Sequence, residues 1–87
     1  MLYGVKISLR ERNDLLKCST FCGLVSAGLI LDKKINFSEH LFVRPVDLEY
    51  VIHNLSKDAQ SRAVSDFVSA LRIILSESAR QVTKGGA

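Results

Sequence analysis

Along residues 2–9 of the chain, Tyr3, Val5, Ile7 and Leu9 alternate with Gly4, Lys6 and Ser8. A period of two predicts a half-buried strand near 3–9. The polar triplet Arg10, Glu11, Arg12 interrupts it, and Asn13 or Asp14 then offers an N-cap oxygen to a helix over 13–28. That helix takes in the larger part of the most apolar stretch of the sequence, the uncharged run Cys18 to Leu31. Leu15, Cys18, Cys22, Val25 and Leu29 recur at three and four, while Phe21, Leu24 and Ala27 widen the apolar surface beyond one stripe. Such a helix has to be covered on several sides. At ~1.5 Å per residue the run is too short for a membrane span, which takes roughly 18 or more apolar residues, so burial in protein is expected. Gly23 weakens the middle of the helix, Gly28 suits either its C-terminal turn or a close approach of backbones, and Leu29 to Leu31 lead into a short strand near 29–32.

The next stretch, Asp32 to His40, reads as a polar connection whose Ile35 and Phe37 tuck against the body. A strand is expected near 41–46, with Pro45 placing it at an edge or a strand end. Residues 49–55 are rich in β-branched and aromatic side chains and predict a further strand. Ser56 or Asp58 can cap a final long helix near 58–79, where Val64, Phe67, Val68, Leu71, Ile74 and Leu75 hold a clear stripe. Residues 81–87 lack apolar periodicity, end in glycines, and are expected to fray. The pattern gives one small α/β domain over 1–80, with two main helices and about four short strands.

Composition narrows the function classes more than it selects one. The 87 residues are 47% hydrophobic and 24% charged, an ordinary globular balance, so disorder is not expected. A net charge of +3 is compatible with nucleic acid, but the basic residues are spread from Lys6 to Lys84 and form no phosphate track. Cys18 and Cys22 have no further Cys or nearby His to complete a metal site, so no metal and no cofactor are expected, and they read as small core residues. No serine sits in a glycine-flanked elbow, and neither His40 nor His53 has a carboxylate fixed beside it in sequence, so no enzymatic activity is expected. No segment reads as a signal peptide or a membrane span, and the cytoplasm is the default compartment. One local arrangement invites a ligand: the turn Arg10 to Asp14 ahead of the helix, where free N–H groups meet Arg10 or Arg12.

The order strand, polar turn, apolar helix, short strand, loop, two strands and long helix resembles the C-terminal part of the effector-binding domain of LysR-type transcriptional regulators. The matching residues are Asn13-Asp14-Leu15-Leu16, Leu24-Val25-Ser26-Ala27-Gly28-Leu29, Leu41 to Val46 followed by Tyr50-Val51-Ile52, and Lys57-Asp58 leading into Ser61 to Leu71. Ile30 stands where that family has a second glycine, and its following proline is absent. The resemblance implies a partial periplasmic-binding-protein-like lobe, in which a small-molecule effector binds between two lobes and Arg12, Asn13 and Asp14 correspond to the turn lining the cleft. Nothing in the chain resembles that family's N-terminal winged helix-turn-helix. The resemblance therefore implies a truncated regulator that does not bind specific DNA by itself.

Two other classes compete with it. Lys6 to Leu9 followed by a helix, Gly23 and a second helical piece loosely resembles a ribbon-helix-helix DNA-binding dimer, with Lys6, Ser8 and Arg10 facing bases. A small protein-interaction module would instead dock the apolar helix on a partner. Small size and a helix apolar on several faces also predict self-association, and the resemblance to LysR-type regulators implies pairing with a related regulator as the other outcome.

Overall fold

In the computed structural model, which describes residues 2–35 and 38–86, the chain is mixed α/β, as the hydrophobic pattern predicts. The elements are β1 (Tyr3–Ile7), α1 (Leu9–Leu15), α2 (Ser19–Ser26), β2 (Ile30–Ile35), β3 (Ser38–Val43), a 3-10 turn (Pro45–Asp47), α3 (Leu48–Lys57) and α4 (Arg62–Gly86). The three strands form one antiparallel sheet in the order β1-β3-β2. β2 and β3 are a hairpin, and β1 pairs with β3 from Tyr3↔Val43 to Ile7↔Glu39. The side chain of Ile35 and all of Phe37, expected to tuck inward, lie outside the described residues.

The expected helix over 13–28 is two helices. The first begins earlier, because Ser8 and Glu11 form a capping box: the Ser8 hydroxyl accepts the Glu11 N–H at 3.2 Å while the Glu11 carboxylate takes the Ser8 N–H. Leu16, Lys17 and Cys18 then turn the chain. One straight helix would point Leu15 and the pair Phe21, Leu24 in different directions; the turn lets all three enter the core, where Leu15 is 1% and Phe21 2% exposed. The seam expected from Cys18, Cys22, Val25 and Leu29 is only half-buried. α2 ends at Ser26, and Gly28 takes the first of its two expected roles by closing the C-terminal turn: with its φ of 80°, its N–H reaches the Val25 carbonyl and the Leu29 N–H reaches Leu24, both at 3.0 Å.

Residues 49–55 are helical, and this corrects the expected strand. Leu48, Val51, Ile52 and Leu55 are all buried at helical spacing, while Tyr50 and His53 face water. Burial of that stripe against α4 outweighs the β propensity of Val, Ile and Tyr. Pro45 likewise sits at the start of a helical turn, where its missing N–H costs nothing, and not in a strand. The expected strand near 41–46 starts earlier, at Ser38, so that most of the supposed polar connection is the β2–β3 hairpin. α4 carries the stripe predicted for it but begins at Arg62, where the Ser61 hydroxyl accepts the Val64 N–H at 3.2 Å, and it runs on to Gly86 through the residues expected to fray.

All four helices feed one core with one face of the sheet. Ile7, Leu41, Val43 and Ile30 supply the sheet side, and Leu15, Phe21, α3 and α4 the other. Phe21 and Phe67 meet edge to face, ring centroids 5.9 Å apart. No polar side chain is buried in the core among the described residues.

Candidate functional site

The segment with the most distinctive geometry runs from β1 to β3: a strand, two short helices joined by a three-residue turn, and an antiparallel hairpin that closes the sheet. Each piece is locked to the next by identifiable contacts. At the turn, the Cys22 thiol donates to the Leu16 carbonyl at 3.1 Å, stapling the end of α1 to the first turn of α2. The Cys18 and Lys17 N–H groups close back on Leu15 and Asp14. Both cysteines are half-buried and make polar contacts, rather than acting as the plain core residues expected.

α2 lacks a side-chain cap of its own, since the residue before it is Cys18. Asp58, from the α3–α4 connection, instead ties down the side chains at this end of the helix. One carboxylate oxygen accepts from the Thr20 hydroxyl at 2.9 Å and from the Cys18 thiol at 3.2 Å, placing a negative charge at the positive end of the helix. Burial, assisted by this carboxylate, pushes the Cys18 thiol above its ordinary pKa, so the group is a hydrogen-bond donor and not a reactive thiolate. A cleft of about 590 Å³ lies beside this junction, between Asp14, Lys17 and Cys18 on one side and Asp58, Ser61 and Arg62 on the other.

Arg12 fastens α1 to the hairpin. Its guanidinium pairs with Asp32 of β2 and lies 3.9 Å from Glu39 of β3, and the Asp32 carboxylate holds it above its ordinary pKa. Asn13 is exposed, and Asp14 turns away from Arg12 to pair with Lys17 at 3.6 Å. The three residues expected to line an effector cleft therefore point in different directions: Arg12 to the sheet, Asn13 to water, Asp14 to the turn. The anion site expected at a turn over 10–14 is not formed, since those residues lie inside α1.

The exposed face of α2 is low and uncharged. Ser19, Gly23 and Ser26 lie on it at intervals of four and three, with Cys22 half-buried beside them. A Cβ built on Gly23 would meet nothing within 4 Å. Sequence reasoning missed this helix-turn-helix because it read 13–28 as continuous; the Ser8–Glu11 box was the available signal. Among the described residues no group of His, Cys, Asp and Glu could hold a metal ion, and no helix is long and apolar enough to cross a membrane. Comparison of the chain with protein-family models, with curated proteins and with solved structures found no match.

Proposed function

We propose that this chain is a nucleic-acid-binding module of winged helix-turn-helix type, which lays α2 in the major groove of a duplex with the β2–β3 hairpin alongside. The observation that carries this reading is the order strand, helix, three-residue turn, helix and hairpin, closed by the β1-β3-β2 sheet. A helix-turn-helix delivers its second helix to the groove, so the argument rests on architecture and on what the presented face can do. The small side chains of Ser19, Gly23 and Ser26 let the α2 backbone come close to a groove floor. They also carry no Arg, Asn or Gln to read base edges. Exposed Lys17 in the turn and Arg10 on α1 supply phosphate contacts. Binding is therefore weak in sequence preference and sensitive to salt.

The effector-binding reading, in which the chain is a remnant of a LysR-type regulator, needs Arg12, Asn13 and Asp14 around one cleft. It also needs Tyr50-Val51-Ile52 as a strand, and that segment is helical. The helix-turn-helix reading asks for neither, and it keeps the broader expectation of a role in transcription regulation.

Fluorescence anisotropy with unrelated duplexes of about 20 base pairs tests the proposal. Dissociation constants should fall in the range of roughly 1–100 μM for every sequence, with log K against log salt sloping by about −2 to −3, as expected for two or three phosphate contacts. Gly23→Glu should weaken binding about tenfold while leaving the melting temperature unchanged or raised, since the site is open and glycine is a poor helix former. Unchanged duplex binding by Gly23→Glu, or no binding at low salt by the unmodified chain, refutes the reading.

A further inference from the structure

The sheet has a second face, and it is built differently from the one that meets the core. The strand register sets Lys6, His40 and Lys33 in one row across β1, β3 and β2, and Gly4, Phe42 and Leu31 in the next. None of these six residues belongs to the core, whose sheet side is made by the alternate positions. The imidazole of His40 stacks on the ring of Phe42, centroids 6.0 Å apart and planes 24° from parallel. The Phe42 ring occupies the space over Gly4, where a Cβ would come within 2.8 Å of it.

An aromatic ring lying over a strand glycine covers backbone that would otherwise be bare, which accounts for the position of Phe42. It does not account for lysines on both sides of His40. Adjacent strands are about 4.8 Å apart, so Lys6 and Lys33 spring from positions roughly 10 Å apart with the ring pair between them. Both are exposed and, among the described residues, neither makes an ion pair. The carboxylate of Asp32 is drawn away to Arg12 from the alternate face of β2, and Glu39, next to His40, also lies close to Arg12. The outcome is a strip of stacked π faces flanked by cations.

We propose that this open face binds single-stranded nucleic acid, with bases stacking on His40 and Phe42 and phosphates held by Lys6 and Lys33. Every base has a π face, and an unpaired strand carries negative charge at each nucleotide, so the two halves of the site match the two parts of one ligand. A duplex keeps its bases stacked inside and cannot use the rings. The site is separate from the exposed face of α2 and does not depend on the duplex reading.

The test uses the full chain and fluorescein-labelled single strands of about twelve nucleotides, one oligo(dT) and one oligo(U), read by anisotropy at low salt. Both strands should bind if the ring faces and phosphates carry recognition; binding of oligo(U) alone would assign the site to RNA through contacts with its 2′-hydroxyl, and binding of oligo(dT) alone to DNA. Phe42→Leu, which keeps apolar cover over Gly4 but removes the aromatic face, should weaken binding by roughly 5- to 100-fold. The pair Lys6→Glu and Lys33→Glu, both at exposed positions, should weaken it at least about tenfold and flatten its salt dependence. Gly23→Glu, which tests the duplex reading, should leave single-strand binding unchanged. The proposal is overturned if the unmodified chain binds neither strand, if the charge-reversed pair binds as tightly as the unmodified chain, or if Gly23→Glu abolishes single-strand binding while Phe42→Leu does not.

Discussion

Asp58 shows how one side chain can be required by an element it does not belong to. It lies in the α3–α4 connection, yet its carboxylate accepts from the side chains of Cys18 and Thr20 and so pins the start of α2 from about forty residues away in sequence. No local rule would place it there, because N-caps are read from the residue before a helix, and that residue is Cys18. Replacing Asp58 by Ala should cost about 1–2 kcal/mol in urea unfolding, through the lost hydrogen bonds and the lost charge at the helix end. Asp58→Asn should recover part of this, since the amide oxygen still accepts but carries no charge. Equal stability of Asp58→Ala and the unmodified chain would show that α2 is held by its packing alone. Arg12 is the counterpart on the other helix: it is charged in every accessible state and is spent on anchoring α1 to the hairpin, which takes it out of the role of an effector ligand.

The elements show where periodicity is readable and where composition misleads. β1, the position of Gly28 and the stripe of α4 follow from spacing alone. α3 did not, although Leu48, Val51, Ile52 and Leu55 stand at helical intervals, because Tyr50, Val51 and Ile52 weigh toward a strand. Tertiary burial decided between the two. The assignment is open to a mutational check: Val51→Ala and Leu55→Ala should cost roughly 2–4 kcal/mol each, while His53→Ala should cost less than about 0.5 kcal/mol. In a strand His53 would share a face with Val51 and Leu55, and its substitution would track theirs. The division of the apolar run into α1 and α2 was legible in part, since Ser8-Leu9-Arg10-Glu11 is a capping box and places the first helix start well before Asn13. The turn at Leu16 to Cys18 carries no glycine or proline and is imposed by the core, which needs Leu15, Phe21 and Leu24 together. The stacked pair on the outer sheet face was hidden for a different reason: His40 and Phe42 become neighbours of Lys6 and Lys33 only once the hairpin register is known.

At the scale of the whole molecule, the apolar surface that motivates self-association is largely used within one chain. Leu15, Phe21 and Leu24 are covered by α3, α4 and the sheet, and among the described residues the exposed large apolar side chains Leu9, Leu16, Val46, Tyr50 and Ile73 are spread over α1 and its turn, the 3-10 turn, α3 and α4. The closure of the sheet has a kinetic consequence. The β2–β3 hairpin joins near neighbours, but β1 docks on β3 across more than thirty residues, and the Tyr3 hydroxyl bonds that of Ser78 on α4 at 2.7 Å, across a separation of 75 residues. The strand synthesised before the other elements is thus held by partners made long after it, and until they arrive one edge of β3 stays open to any extended segment, including β1 of another copy. Such non-local pairing sets a refolding time expected in the range of milliseconds to seconds, slower than a helical bundle of this length. Tyr3→Phe removes a bond that closes late, so in stopped-flow refolding it should speed unfolding and leave the folding arm almost unmoved. A slowed folding arm would instead place the meeting of β1 and α4 in the rate-limiting step.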